Sequence, residues 1–377
     1  MNRLTTISTG GPVSRLRWHP TLQYLASGDF DRGEVVLWDV RNRTTPTPVF
    51  AFGSSSDLNR IWDLSFHPNG EIIAVASDTG LELWRLFQPN SSIRVASPTH
   101  LTSFPLQGRH DGFFSCAEFS PDGEFLLATQ FPEDEIQVFG VVSGRYLGTG
   151  DMTCQRLAFH PDGTVFAATA NGENGGEILF GTFNEPGETT TLTESSFVRW
   201  FSFRIAMPFQ LGGIAFASGG DAVSVCGGWK KRMVEVLSFP SCDRTFQNHT
   251  IDSSTEAIDA IAWDEFFLPE EQFPDRVILS ADGQELVYPS LDGEMFVSTW
   301  RNGEPATIRN QAHKAPVITL DCHPAFGLIA TGGLDRKIVI WENGGMIQLP
   351  TPDSGPTAKD QLLSLAEQLQ AKYGDVL

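Results

Sequence analysis

His313, Thr331 and Asp335 bring an imidazole, a hydroxyl and a carboxylate into one short stretch of chain. These are the three groups that nucleophilic acyl transfer uses as base, nucleophile and orienting acid. Such a triad needs its nucleophile exposed beside the base, with donors for an oxyanion. Thr331 instead lies inside the apolar run LIATG, and Trp341 follows Asp335 by six residues. A hydroxyl inside an apolar strand is placed for structure and not for attack, because a buried polar group left unpaired is costly and a completed network is rigid.

Other groupings invite metal, acid–base or phosphate chemistry. His19, His67, His160 and His323 each precede a proline and share one register in four similar stretches. A metal needs ligands converging at about 2 Å on one ion, whereas equivalent turns of a repeating chain lie apart. Each imidazole is therefore expected to cap its own turn, and no metal or other cofactor is expected. The acidic stretches Pro132–Glu135 and Leu268–Asp275 lack the spacing of a calcium loop and read as solvated charge. The glycines near Asn171–Gly176 and at Gly212–Gly213 carry no phosphate-loop lysine and no strand–glycine–helix context.

The elements that would position these groups recur along the chain. A short apolar strand runs into His-Pro or Ser-Pro with Asp/Asn-Gly, and a second apolar strand follows. The copies are RLRWHP, DLSFHPNG, CAEFSPDG, RLAFHPDG, GIAFASGGD, AIAWDEF and TLDCHP, registered at Trp18, Phe66, Phe119, Phe159, Phe216, Trp263 and Cys322. Their runs of Val, Ile, Phe and Ala, apolar at successive positions, suit strands covered on both faces. The stretch HKAPVITLDCHPAFGLIATGGLDRKIVIW, His313 to Trp341, closely resembles one unit of the WD-repeat family. The resemblance implies an all-β, seven-bladed WD-repeat-like β-propeller, in which His313, Thr331, Asp335 and Trp341 tie one blade together. Matching positions elsewhere are Asp78 and Trp84, six residues apart; Trp38, with Asp29 or Asp31 before it but no histidine; and His110, Thr129 and Asp134, with Phe139 in place of the tryptophan. Leu4–Thr9 is expected to pair beside Lys337–Trp341 and close the ring. Unit six has no certain strand assignment, and the aromatic stretch Phe197–Phe209 reads as an insertion before unit five, either a private core or part of an interface.

The expected division is a propeller over 1–345, a linker over 346–356 and a helical tail over 357–377. In the tail Thr357 and Asp360 form a capping box, and Leu362, Leu365, Leu369 and Tyr373 share a face. That stripe serves either the propeller or a partner. The chain has 377 residues, formal charge −20 and 41% hydrophobic content. Such acidity disfavours nucleic acid, whose binders carry a basic footprint. Five scattered cysteines and an N-terminus without an apolar core suggest a reduced, cytoplasmic setting, and no stretch reads as a membrane span. What the resemblance implies is a non-catalytic scaffold or adaptor subunit that binds protein partners, with no small-molecule substrate. The alternative is an enzyme or small-ligand sensor using the central channel, which needs charged side chains converging there. Candidate partner-binding residues are Trp229, Lys230, Lys231 and Arg232 in one turn, Phe30 and Phe131 in equivalent turns, Arg60 before an inner strand, and the helix stripe.

Overall fold

The computed structural model describes residues 1–53, 59–104, 112–132, 135–172, 175–183, 198–227, 231–252, 277–280, 284–300, 307–342 and 356–373. They form seven antiparallel sheets, six of four strands and one of five. The inner strands are Val13–Trp18, Ile61–Phe66, Phe113–Phe119, Arg156–Phe159, Leu211–Phe216, Ile278–Leu279 and Val317–Cys322, and consecutive ones touch around a closed ring. The second strand of a blade is sandwiched between neighbours. Tyr24–Asp29, Ala222–Gly227 and Leu328–Gly333 are accordingly buried at every position. Outer strands such as Thr47–Gly53 are largely exposed, which explains the continuous apolar runs of one class and the polar sequence of the other.

The ring is closed by the chain's own beginning. Asn2–Ser8 is the outer strand of blade seven, antiparallel to Lys337–Glu342 with Thr6 opposite Val339. Apolar side chains then fill the seam between blades seven and one, where Leu16, Trp18, Leu25 and Trp38 pack on Leu328, Ala330, Ile338 and Ile340. Closure removes the long edges that would otherwise template aggregation.

Two expectations change. The inner strand of blade six is Ile278–Leu279; the copy registered at Trp263 lies outside the described residues. The aromatic stretch before unit five is the outer edge of blade four: Val198–Trp200 and Ile205–Met207 both pair with Gly175–Phe183. Phe203, Met207 and Phe209 from it are buried in the core shared by blades four and five.

The helix Ala358–Tyr373 lies on that same core. Ala358 and Leu362 are fully buried there, with Leu365, Ala366 and Leu369 packed beside them. Its start is capped twice. Asp360 N–H donates to Thr357 Oγ1 (3.2 Å) while Thr357 N–H donates to Asp360 Oδ2 (3.1 Å). The blade-four turn adds Asp162 Oδ2 on Ala358 N–H (2.7 Å) and Thr164 Oγ1 on Lys359 N–H (3.1 Å). An acid at a helix N-terminus meets unpaired amides and the positive end of the dipole. Burial alone would raise the Asp162 carboxyl; the amides of Ala358 and Thr164 outweigh it and hold the group below its usual range.

Candidate interaction face

In blade seven, His313 Nδ1 is 2.8 Å from Asp335 Oδ1, and Nε2 is 3.0 Å from Thr331 Oγ1, which also accepts Trp341 Nε1–H at 3.2 Å. One set of protons satisfies all four groups: the indole donates to the hydroxyl, the hydroxyl to Nε2, and Nδ1–H to the carboxylate. Asp335 Oδ2 accepts the Lys314 amide at 3.0 Å. Burial would push this carboxyl up, but the His313 and Lys314 hydrogen bonds prevail and lower it. Thr331 is fully buried and His313 2% exposed, so the hydroxyl meets no substrate.

The other blades share the positions but not the network. In blade one, Trp38 Nε1–H donates to Ser27 Oγ at 2.9 Å. In blade two, Val75 stands opposite Glu82 where Thr331 stands opposite Val339. Without a hydroxyl there, Trp84 Nε1–H turns to Glu82 Oε2 at 2.9 Å. Asp78 does not join it. Its turn is one residue tighter, so Asp78 accepts Trp62 Nε1–H at 2.5 Å and the Arg60 amide at 2.9 Å. The six-residue spacing of Asp78 and Trp84 therefore reflects no shared network. In blade three, Thr129 Oγ1 meets Ser115 Oγ at 2.8 Å and the Gln155 carbonyl at 3.2 Å. Phe139 is fully buried against Phe104, with ring centroids 4.4 Å apart. His110 and Asp134 lie outside the described residues.

The His-Pro histidines do more than cap their turns. Nδ1 of His19, His67, His160 and His323 accepts a local amide, from Thr21, Asn69, Asp162 and Ala325 at 3.1–3.2 Å. Nε2 then reaches a carbonyl in the next blade's equivalent turn: Gly70 from His19, Gly123 from His67, Gly220 from His160 and Leu22 from His323. Gly70, Gly123 and Gly220 have φ of +77°, +76° and +75°, and a Cβ on any of them would overlap the incoming imidazole. These positions need glycine both for conformation and for space. Burial lowers His19 to about 4 and lowers His323 as well, so both are neutral donors at pH 7.

Charged side chains do converge on the ring's axis. Arg17 lies 2.7 Å from Glu118 and 3.9 Å from both Asp63 and Asp321, and Arg15 lies 3.6 Å from Asp63. They are engaged with the walls. Asp321 Oδ2 accepts Trp18 N–H (2.7 Å), Thr319 Oγ1 accepts Leu16 N–H (3.2 Å), Asp63 Oδ2 accepts Ala117 N–H (3.1 Å) and Ser65 Oγ accepts Phe119 N–H (3.3 Å). Arg17 donates to the Leu64 carbonyl at 2.5 Å, and Arg156 to that of Ser115 at 2.7 Å. Burial raises Glu118 to about 7 and Asp321 to about 6, opposed by Arg17. The missed signal was the alternation within RLRW, DLS, CAE and TLD, where every second residue points to the axis. Among the described residues, no group of three or more His, Cys, Asp or Glu side chains is arranged to hold a metal.

The turns leading out of second strands and the segments entering inner strands share one end of the ring. There Phe30, Arg60 and Phe131 come together through two aromatics that sequence reasoning missed. Trp62 stacks on Phe113 (4.2 Å between centroids), Phe113 on Phe131 (5.0 Å), and Phe30 meets Trp62 edge-on (5.9 Å). The Arg60 guanidinium sits 5.8 Å from both the Phe30 and Trp62 ring centroids. Phe30 and Trp62 are buried and form the floor; Arg60, Phe113 and Phe131 are half-buried. The run spans blades one to three. Trp62 and Phe113 could have been found as large aromatics at the first turn of an inner strand. Trp229 and Lys230 lie outside the described residues, and Lys231 and Arg232 begin the strand Lys231–Ser238, opposite Asp252 and Ile251. Leu362 faces its own propeller and is unavailable to a partner, and Leu365 and Leu369 pack there too. The stripe is apolar because the blade-four and blade-five core needs it. The Tyr373 side chain lies outside the described residues.

These features define a closed, seven-bladed β-propeller. It carries WD40 repeats: the family described as WD domain, G-beta repeat matches residues 2–39, 47–85 and 305–342. Each match begins with the outer strand of one blade and continues through three strands of the next, so the sequence repeat is offset from the structural one. No curated protein matches the chain. No helix among the described residues is long and apolar enough to cross a membrane.

Proposed function

We propose that the protein is a non-catalytic scaffold or adaptor subunit of a cytoplasmic assembly, and that it engages a protein partner through the face of blades one to three. The observation that carries this is the run Phe30–Trp62–Phe113–Phe131 crossed by Arg60. Aromatic and arginine side chains are the usual anchors of protein interfaces. Here they rest on a buried aromatic floor, so little side-chain freedom is lost on binding. The hydroxyl and imidazole of blade seven are consumed by structure, which favours binding over catalysis.

The test is affinity isolation from the native cell with wild type, Arg60→Glu and the outer-strand control Leu101→Glu. A stoichiometric partner retained by wild type and Leu101→Glu but lost with Arg60→Glu supports the face. A partner kept equally by all three places the interface elsewhere.

A further inference from the structure

The seams between blades are not bonded alike. Between blades seven and one, and between two and three, side chains at two inner-strand positions accept amides of the next blade. Thr319 and Asp321 take those of Leu16 and Trp18, and Asp63 and Ser65 those of Ala117 and Phe119. The registers place Arg156 and Ala158 at these two positions of blade four. A guanidinium carries donors and no acceptor, and a methyl group carries neither, so neither side chain can accept an amide of blade five. Arg156 donates the other way, to the Ser115 carbonyl of blade three at 2.7 Å. At one end of the seam Asn171 spans it, with Nδ2–H on the Leu211 carbonyl (2.9 Å) and Oδ1 on the Leu211 amide (2.7 Å).

At the other end lies the helix Ala358–Tyr373. Ala358 and Leu362 are fully buried in a core they share with Phe180 of blade four, Phe203 of its outer edge, and Val223 and Phe239 of blade five. The helix start rests on Asp162 and Thr164 of blade four. His160 Nδ1 is 2.8 Å from Asp162 Oδ1, and Nε2 is 3.1 Å from the Gly220 carbonyl oxygen of blade five. The imidazole also meets the Phe216 and Phe239 rings, with centroids 5.2 and 5.1 Å away. A line of contacts therefore runs from the blade-five turn through His160 and Asp162 to the first helix amide. The flanks of the helix are open. A cavity of about 440 Å³ lies along Asp360, Ser364 and Gln368 beside Pro240, and one of about 230 Å³ lies between Leu363 and Trp200. The helix is held by one narrow stripe and its cap, and a segment held by so little opens before the blades beneath it.

We propose that the helix is a detachable strap over the seam of blades four and five. Docked, it supplies the cross-link that the two inner strands lack. Released, it loosens those two blades and leaves blades one to three as they were. The coupling is reciprocal: whatever captures the apolar stripe of the helix opens the seam, and whatever spreads the seam frees the helix. The strap is independent of the aromatic face on blades one to three, so neither reading rests on the other.

Hydrogen exchange of the full chain, read by mass spectrometry, tests the strap with Ser364→Pro and the control Ser364→Ala. Residue 364 is exposed, so the proline breaks the helix without removing a side chain from the core. Ser364→Pro should speed exchange by about tenfold or more over the helix and over Phe166–Gly172 and Ala222–Gly227. Tyr24–Asp29 and Ile72–Ser77 should keep the wild-type rate, and Ser364→Ala should match wild type throughout. His160→Ala removes an imidazole that contacts Asp162 and Gly220 but makes no hydrogen bond to the helix, and it should also speed exchange over the helix. Acceleration confined to the helix, acceleration equal in every blade, a helix that stays protected with proline at 364, or helix exchange untouched by His160→Ala each overturns the proposal.

Discussion

Replacing Gly70 by alanine tests whether the imidazole clips hold adjacent blades together. Gly70 has φ +77°, and a Cβ there would overlap the His19 ring. The left-handed backbone costs a non-glycine residue about 1–2 kcal/mol, and overpacking a tight contact costs about 1–3 kcal/mol more. Gly70→Ala should therefore destabilise by about 2–5 kcal/mol. In a His19→Ala background the overlap is gone, and the same change should cost only the backbone part, about 1–2 kcal/mol. The two substitutions should thus couple by about 1–3 kcal/mol. The chain contains its own control. Gly163 has φ +76°, but blade three offers Ser120 instead of histidine, and the nearest atoms to an added Cβ belong to Pro121 at 3.6 Å. Gly163→Ala should cost the backbone part alone. Urea unfolding at pH 7, read by tryptophan fluorescence, supplies all four values. Additive effects of the Gly70 and His19 substitutions, or equal costs at Gly70 and Gly163, would refute the clip.

Further outcomes follow from the same geometry. His19 is 2% exposed and lowered from 6.5 to about 4 by burial. The unfolded chain therefore takes up the proton first. The contribution is complete above pH 6.5 and lost as pH falls toward 4, amounting to about 3 kcal/mol; it should appear as the pH-dependent stability difference between wild type and His19→Gln. Thr331→Val leaves His313 Nε2 and the Trp341 indole without their shared partner and should cost about 1–3 kcal/mol in urea unfolding. Leu362→Ala removes a fully buried side chain from the blade-four and blade-five core and should weaken helix docking by about 2–5 kcal/mol. The readout is faster amide exchange over Ala358–Tyr373, with protection of blades one to three unchanged.

The blade architecture was legible because it is written in short-range pattern. The apolar pairs around each His-Pro or Ser-Pro turn mark inner and second strands, and LTTIST marks the closing outer strand. Blade seven's network was legible because all four partners are present at fixed offsets. Blade two misled: the spacing of Asp78 and Trp84 is unchanged, while a tighter turn and Val75 redirect both side chains. Outer strands were the least readable, since exposed edges need no apolar signature. Val198–Trp200 accordingly passed as an insertion. The aromatic run on the face could be found only by half, because Phe30 and Phe131 lie in turns while Trp62 and Phe113 lie within strands. Only the ring geometry places them in one row.

Among the described residues, that row sits on the arc with the most imidazole clips. Imidazole clips join blade seven to one, one to two and two to three, and a further clip joins four to five. The inner-strand ladders of Thr319 with Asp321 and of Asp63 with Ser65 fall within the same arc. At the clip position blades three, five and six carry Ser120, Ala217 and Ser280 in place of histidine. At the axis position of Arg17, Glu118 and Asp321, blades four and five carry Ala158 and Ala215, while Arg156 of blade four stands at the position of Arg15 and Asp63. Rigidity is thus concentrated beneath Arg60, Phe113 and Phe131. An interface placed there spends little of its binding energy on ordering the propeller, whereas blades five and six, with fewer imidazole clips among the described residues, are where local opening should begin. Native-state hydrogen exchange should therefore find slower amides in Ile61–Phe66 and Phe113–Phe119 than in Leu211–Phe216. Equal protection would show that the cross-links do not grade the ring's stability.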